Sequence, residues 1–296
     1  MYGRSLAIIM VPAVFGTLSV TTVCLRCFVR IKIVKQFGWD DHIMIIAAIS
    51  NLGFALCGII GGVYGIGRKL EYFEDRPDDF QKAMLCWWFG QIFYTLAATA
   101  MRLSISITLL RFTSSRVHVA FLYGIMVVST VAGTALLFFT IFQCSPISYY
   151  WRRLEIQGEC HDSIEVNLIY FYSGMDAICD IAIGFLPAVL IRKLTINRRT
   201  KAGIAVLLGL GCVAISGVIA RIPFVHLMTK SEFLYQTTWM AICSDFETGI
   251  GIIAGSLMVM RPAFSFFTNS RRSTRGHMVI KSLSFISSKV LTTSSV

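Results

Sequence analysis

Charge is what this chain has least of. Only 15% of its 296 residues are Asp, Glu, Lys or Arg, where soluble domains carry about a quarter. Lysine is missing from the last apolar block: the nine lysines fall at 32, 35, 69, 82, 193, 201, 230, 281 and 289, all in connecting segments or the tail. Without a lysine in that block there is no retinal Schiff base, and no cofactor is expected. No GxSxG, HExxH or Walker sequence occurs, so the short motifs of hydrolases, zincins and P-loop enzymes are absent. The five histidines never stand at metal-ligand spacing. Internal repeats are lacking too, and with them the inverted halves and broken helices of many transporters. No basic n-region precedes the first apolar block, so that block is expected to stay as a helix rather than be cleaved.

What is present is apolar sequence in long runs. Hydrophobic residues make up 55% of the chain, and mean hydropathy is +0.69. Seven blocks stand out, at about 5–29, 42–66, 83–110, 117–142, 164–191, 202–226 and 239–260. A hydrocarbon core about 30 Å thick needs roughly 20 apolar residues per helix. The blocks are apolar on all sides, without the alternation of barrel strands. The expected fold is all-α: a polytopic bundle of seven transmembrane helices in residues 1–262. A basic Ser/Thr-rich tail follows at 263–296.

The net charge of +11 would suggest nucleic acid in a soluble protein. Here the basic residues flank the apolar blocks, so lipid is the expected partner and nucleic acid is not. Segments 30–41, 111–116, 192–201 and 261–296 hold sixteen Lys and Arg. Segments 1–4, 67–82, 143–165 and 227–238 hold eight. The richer set belongs in the cytosol. The N-terminus is then outside and the C-terminus inside. In the tail, Arg271, Arg272 and Arg275 adjoin Ser270, Ser273 and Thr274, either a solvated tail or a lipid contact open to phosphorylation.

Ionisable residues inside the blocks are the candidates for function, because a charge in hydrocarbon costs about 2.5–3.5 kcal/mol on insertion scales. Depth follows from about 1.5 Å of rise per residue. Arg102 and Asp180 come out at matching depths and are expected to pair in the inner half. Arg221 and Glu247 match in the outer half and form a second expected pair. These pairs either switch or merely fix helix register. Asp176 lies a turn above Asp180 with no evident partner, which makes it the candidate for a polar ligand or ion. Asp176, Glu247 and Arg221 form the tentative ligand site.

Cysteines are scattered. Cys24 and Cys27 have CxxC spacing without a second ligand pair and are read as small helix residues. Cys144 closes the fourth block, and Cys160 lies sixteen positions later in the same outer loop. A Cys144–Cys160 disulfide is expected there, with Cys86 as the rival partner for Cys160.

Taken in order, these residues resemble the fungal rhodopsin-domain family. The resemblance runs from Arg26 to Pro262. It begins with Arg26 and Arg30 before Gly38-Trp39-Asp40-Asp41. Gly65-Ile66-Gly67, Leu103-Ser104-Ile105 and Arg111 come next, then Phe142-Gln143-Cys144-Ser145-Pro146 with Trp151 and Cys160. Asp180 stands seven residues before Pro187, Arg198-Arg199-Thr200-Lys201 leads to Gly209-Leu210-Gly211 and Arg221, and Glu247 stands fifteen before Pro262. Against the family pattern, Arg102 stands for Lys, Arg68 for His, Met258 for Pro and Gly249 for Asn. The family includes proteins regarded as seven-helix fungal receptors and membrane proteins of secondary-metabolite clusters such as the satratoxin cluster; the name describes the fold, not a bound retinal. The resemblance implies a receptor-like, non-enzymatic protein of the plasma membrane or an endomembrane. It would sense a small apolar ligand and could engage a cytosolic G protein. The alternative is an accessory protein or enzyme of a secondary-metabolite pathway; a transporter comes third. No acid precedes Arg111 and no NPxxY follows the last block, so the best-known animal receptor features are missing.

Overall fold

The computed structural model describes residues 3–113, 115–153, 155–160, 162–192, 209, 216 and 233–260. Among these, six helices are long and apolar enough to cross a membrane. The block at 202–226 and the tail lie outside the described residues.

Helix α1 (Gly3–Phe28) widens into a π-helical turn, Val29–Val34, and stops at Lys35, whose φ of 54° is left-handed. Helix α2 (Trp39–Tyr64) follows Gly38. Asp40 and Asp41 occupy its first turn, where carboxylates suit the positive end of the helix dipole. Asp41 also accepts the Gly38 N–H at 3.1 Å. The stop of α2 explains Gly65-Ile66-Gly67. Gly65 (φ 118°) and Gly67 (φ 90°) are both left-handed, a region that side chains strain to reach. Gly67 also donates to the Leu234 carbonyl at 3.1 Å, and a Cβ on it would come within 3.3 Å of the Arg4–Ser5 backbone.

Helix α3 (Pro77–Phe112) starts with proline at its head and Asp78 and Asp79 in its first turn. It runs through the middle of the bundle. Ala83, Ala97 and Ala98 are fully buried along it, as are Arg102, Ser104, Ser106 and Leu109. Helix α4 (Arg116–Phe142) leads into a two-residue antiparallel hairpin, β1 (Cys144–Ser145) with β2 (Glu159–Cys160), in which Cys144 faces Cys160. The two cysteines are disulfide-bonded, and Cys86 is a free thiol. The loop they close rests on α3: Trp88 packs at a tilt against Trp151 at 5.5 Å and donates to the Thr140 carbonyl at 3.0 Å. Helix α5 (Asp162–Arg192) and helix α6 (Phe233–Met260) complete the described bundle.

Contacts fix the directions. Ser5 bonds to Gly62 and Arg4 to Tyr235 near the hairpin. Arg26 bonds to Asp41 and to the Gly255 carbonyl at the far end. The outer faces of α2, α4 and α5 expose Ile49, Val131, Phe138, Phe171 and Ile178, each more than half exposed. Water would not tolerate so much bare apolar surface; lipid requires it.

Candidate functional site

Among the described residues, two buried charge clusters and an apolar cavity share the interior. The middle cluster is built on Arg102 of α3, 1% exposed. Its Nη1 lies 2.5 Å from Asp176, its Nε 2.6 Å from Asp180 and its Nη2 2.9 Å from Glu247. Asp176 and Asp180 are four residues apart on α5 and so share one face. The expected Arg102–Asp180 contact is present.

Two expectations are corrected. Asp176 has a partner, since it shares Arg102 with Asp180. Glu247 does not sit in the outer half away from Arg102; it lies at Arg102's level. The reason is that α6 begins at Phe233, six residues before the apolar block, which puts Glu247 a turn and a half deeper than the block suggested. Arg221 is outside the described residues.

Tyr94 joins this cluster. Its hydroxyl lies 3.2 Å from Asp176 and 3.4 Å from both Glu247 oxygens. Being two turns from Arg102 on α3, it presents the same face to α5 and α6. A tyrosine inside an apolar block carries no sign of this role in the sequence.

The same residue lines a cavity of about 60 Å³ between α1, α2, α3 and α6. Ile8, Phe54, Cys57, Trp87 and Met240 form most of its wall, with Gln91 and Ser244 as polar points. Cys86 also lines it. Carbon and sulfur dominate, so the cavity suits an apolar occupant. Tyr94 is thus part of the cavity wall, and its hydroxyl is in the charge cluster.

The second cluster lies at the opposite end from the hairpin. Arg26 reaches Asp40 and Asp41 at 2.8 Å each, and all three are fully buried. Arg30 approaches the same two carboxylates at 3.1 and 3.5 Å. Arg111, at the end of α3, touches Asp40 at 2.5 Å and is the partly exposed member. From α3, Ser104 donates to the Asp40 backbone carbonyl and Thr108 to its carboxylate. Three guanidiniums surround two carboxylates, with nearly every oxygen bonded, as burial of such charges demands. Arg26 and Arg30 are four apart on one helix face, which is the signal that could have revealed this lattice.

Gly249 belongs to the packing around these sites. A Cβ there would lie 2.9 Å from Phe15, which also packs edge-on against Phe246 at 5.2 Å. Glycine at this position admits the α1 aromatic.

The fungal rhodopsin domain model matches residues 25–266. "Wortmanamides biosynthesis cluster protein C" of Talaromyces wortmannii is 26% identical over 86% of this chain and 68% of its own. "Polyenoic acids biosynthesis gene cluster protein Ba17b" of Metarhizium anisopliae is 24% identical over 84% of this chain and 71% of its own. "Satratoxin biosynthesis SC1 cluster protein 4" of Stachybotrys chartarum is 28% identical over 35% of this chain and 37% of its own. No solved structure matches.

Proposed function

The chain belongs to the fungal rhodopsin-domain family, and from that premise we propose that it is a receptor-like membrane protein that senses a small apolar ligand without retinal and without chemistry. One observation carries this reading: Tyr94 is shared by the apolar cavity and the Arg102 cluster. A ligand that presses on the ring shifts the hydroxyl, and the hydroxyl bonds carboxylates held by α5 and α6. Because the charges are buried, a small change in their hydrogen bonding carries a large energy. Helix motion would then be read at segments 111–116 and 192–201 and the tail, the surfaces open to a G protein. Asp176, Glu247 and Arg221 are the polar residues proposed to respond; Arg221 lies outside the described residues.

We read the chain as seven spans with the N-terminus outside and the C-terminus cytosolic. Helix α5 runs away from the hairpin: its early residues Ile169 and Tyr172 pack with Tyr94, and its later Ile183 and Leu186 pack with Met44 and Leu109. Helix α6 starts again beside the hairpin end, at Leu234 and Tyr235. The 40 residues between Arg192 and Phe233, of which only 209 and 216 are described, contain the block proposed as the remaining span. That apolar block, 202–226, is long enough to span the membrane at about 1.5 Å per residue. The disulfide at the hairpin end supports an oxidising outer compartment there. The membrane is the plasma membrane or an endomembrane.

The relatives' names favour a second reading, in which the protein is an accessory member or enzyme of a secondary-metabolite pathway. The two readings are tested together. Purified protein is screened for thermal shift against fungal metabolites and lipids, and the deletion strain is profiled for metabolites. A ligand that stabilises the protein, with unchanged metabolites in the deletion strain, supports sensing. A lost or stalled product with no stabilising ligand supports the pathway reading.

A further inference from the structure

Helix α6 carries a second buried acid, Asp245, two residues before Glu247 and turned to the opposite side. It is 1% exposed. Among the described residues neither carboxylate oxygen has a hydrogen-bond partner. The flanking contacts show which way this side of α6 faces. Phe246 meets Phe15 of α1, Ser19 of α1 donates to the Gly249 carbonyl, and Thr248 bonds to Asn51 of α2 at 2.8 Å. Thr248 is three residues after Asp245 and shares its face. Ala241, four residues before, lines the apolar cavity, so Asp245 sits one turn below that wall.

Asn51 is fully buried, and its Nδ2 has no acceptor. Rotating this amide by half a turn resolves the orphan. Nδ2 then donates to the Thr248 hydroxyl, whose own proton goes to the Ser244 carbonyl at 3.0 Å. Asn51 Oδ1 becomes a free acceptor near Asp245, whose backbone carbonyl lies 3.3 Å from the same Thr248 hydroxyl. The two side chains then offer three oxygens and a single negative charge. Hard cations select oxygen ligands, and divalent ions usually require more ligands and more carboxylates. A bare carboxylate inside a membrane helix is costly and is neutralised either by a proton or by a bound cation.

We propose that Asp245 and Asn51 form a monovalent cation site beneath the apolar cavity. The ion ties α6 to α2 on the side away from Arg102, so its occupancy sets how far α6 can shift.

The test uses the full chain in nanodiscs, melted in equal concentrations of sodium, potassium or choline chloride. Sodium is expected to raise the melting temperature by several degrees over choline, as ligand linkage requires. Asp245→Asn should abolish that shift while melting in choline at or above the wild type, which shows that it folds. Asn51→Leu should raise the sodium concentration needed by about tenfold or more, a loss of about 1.4 kcal/mol or more. Equal melting of the wild type in sodium and choline, with stability responding only to pH, would overturn the site in favour of a proton. A sodium shift that survives in Asp245→Asn would overturn it as well.

Discussion

Arg102 holds three carboxylates from two helices, and Tyr94 decides how two of them are hydrogen-bonded. Removing the cation strands buried charge, which typically costs about 3–5 kcal/mol. Arg102→Met is therefore expected to give little folded protein, measured as monodisperse yield and melting temperature in detergent. Arg102→Lys should recover part of it, since the charge returns without the fork that spans three acids. Tyr94→Phe removes only hydroxyl contacts and should cost about 1 kcal/mol. Its larger expected effect is on coupling: ligand still binds, but the change in accessibility of a probe at 111–116 is lost. An unchanged probe response would show that Tyr94 transmits nothing.

At the scale of elements, charges inside single blocks were easier to read than charges at their edges. The Arg102–Asp180 contact was legible because both residues interrupt apolar sequence at matching depth. Glu247 was misplaced because Phe233–Tyr235 and Thr237–Thr238 extend α6 beyond its hydrophobic block, and hydropathy cannot see a polar helical turn. The Arg26–Asp40–Asp41 lattice was missed for a related reason. Asp40 and Asp41 stand where a loop becomes a helix, which in a list of segments counts as solvated, yet α1 and α3 close over them. Cys144–Cys160 was legible because both cysteines lie in one short loop, and the hairpin register supplies the rest. Replacing both cysteines by serine should cost about 3 kcal/mol by the chain-entropy account of a loop this short. Differential melting with and without reductant checks it: the wild type should drop under reductant and the double variant should not. Gly65→Ala should cost about 1 kcal/mol from the left-handed backbone alone, read the same way.

For the whole molecule, two interior charge lattices sit at different levels of the bundle, and the apolar cavity lies toward the hairpin end from both. The lattice of Arg26, Arg30, Asp40, Asp41 and Arg111 binds α1, α2, α3 and α6 at one end. The Arg102 cluster binds α3, α5 and α6 in the middle. On the proposed reading the first lattice holds one end of the bundle and the second is the part that shifts. The proposed orientation has its own check: cysteines placed singly in 67–82 and in 111–116 should label from opposite sides with an impermeant thiol reagent. Labelling from the same side would contradict the single pass of α3 between them.

The central claim, that the cavity beside Tyr94 is a ligand site, is tested most directly by filling it. A Cβ at Gly90 would meet Phe54 and Cys57 at 3.7–3.8 Å, ordinary contact, and a larger side chain there projects into the cavity. Gly90→Leu should keep the charge clusters intact and the protein folded. Thermal shift over a panel of apolar fungal metabolites and lipids, run on the wild type and on Gly90→Leu, decides the matter. The account predicts at least one compound that stabilises the wild type and leaves Gly90→Leu unmoved. A compound that stabilises both equally, or a panel that stabilises neither, would contradict it.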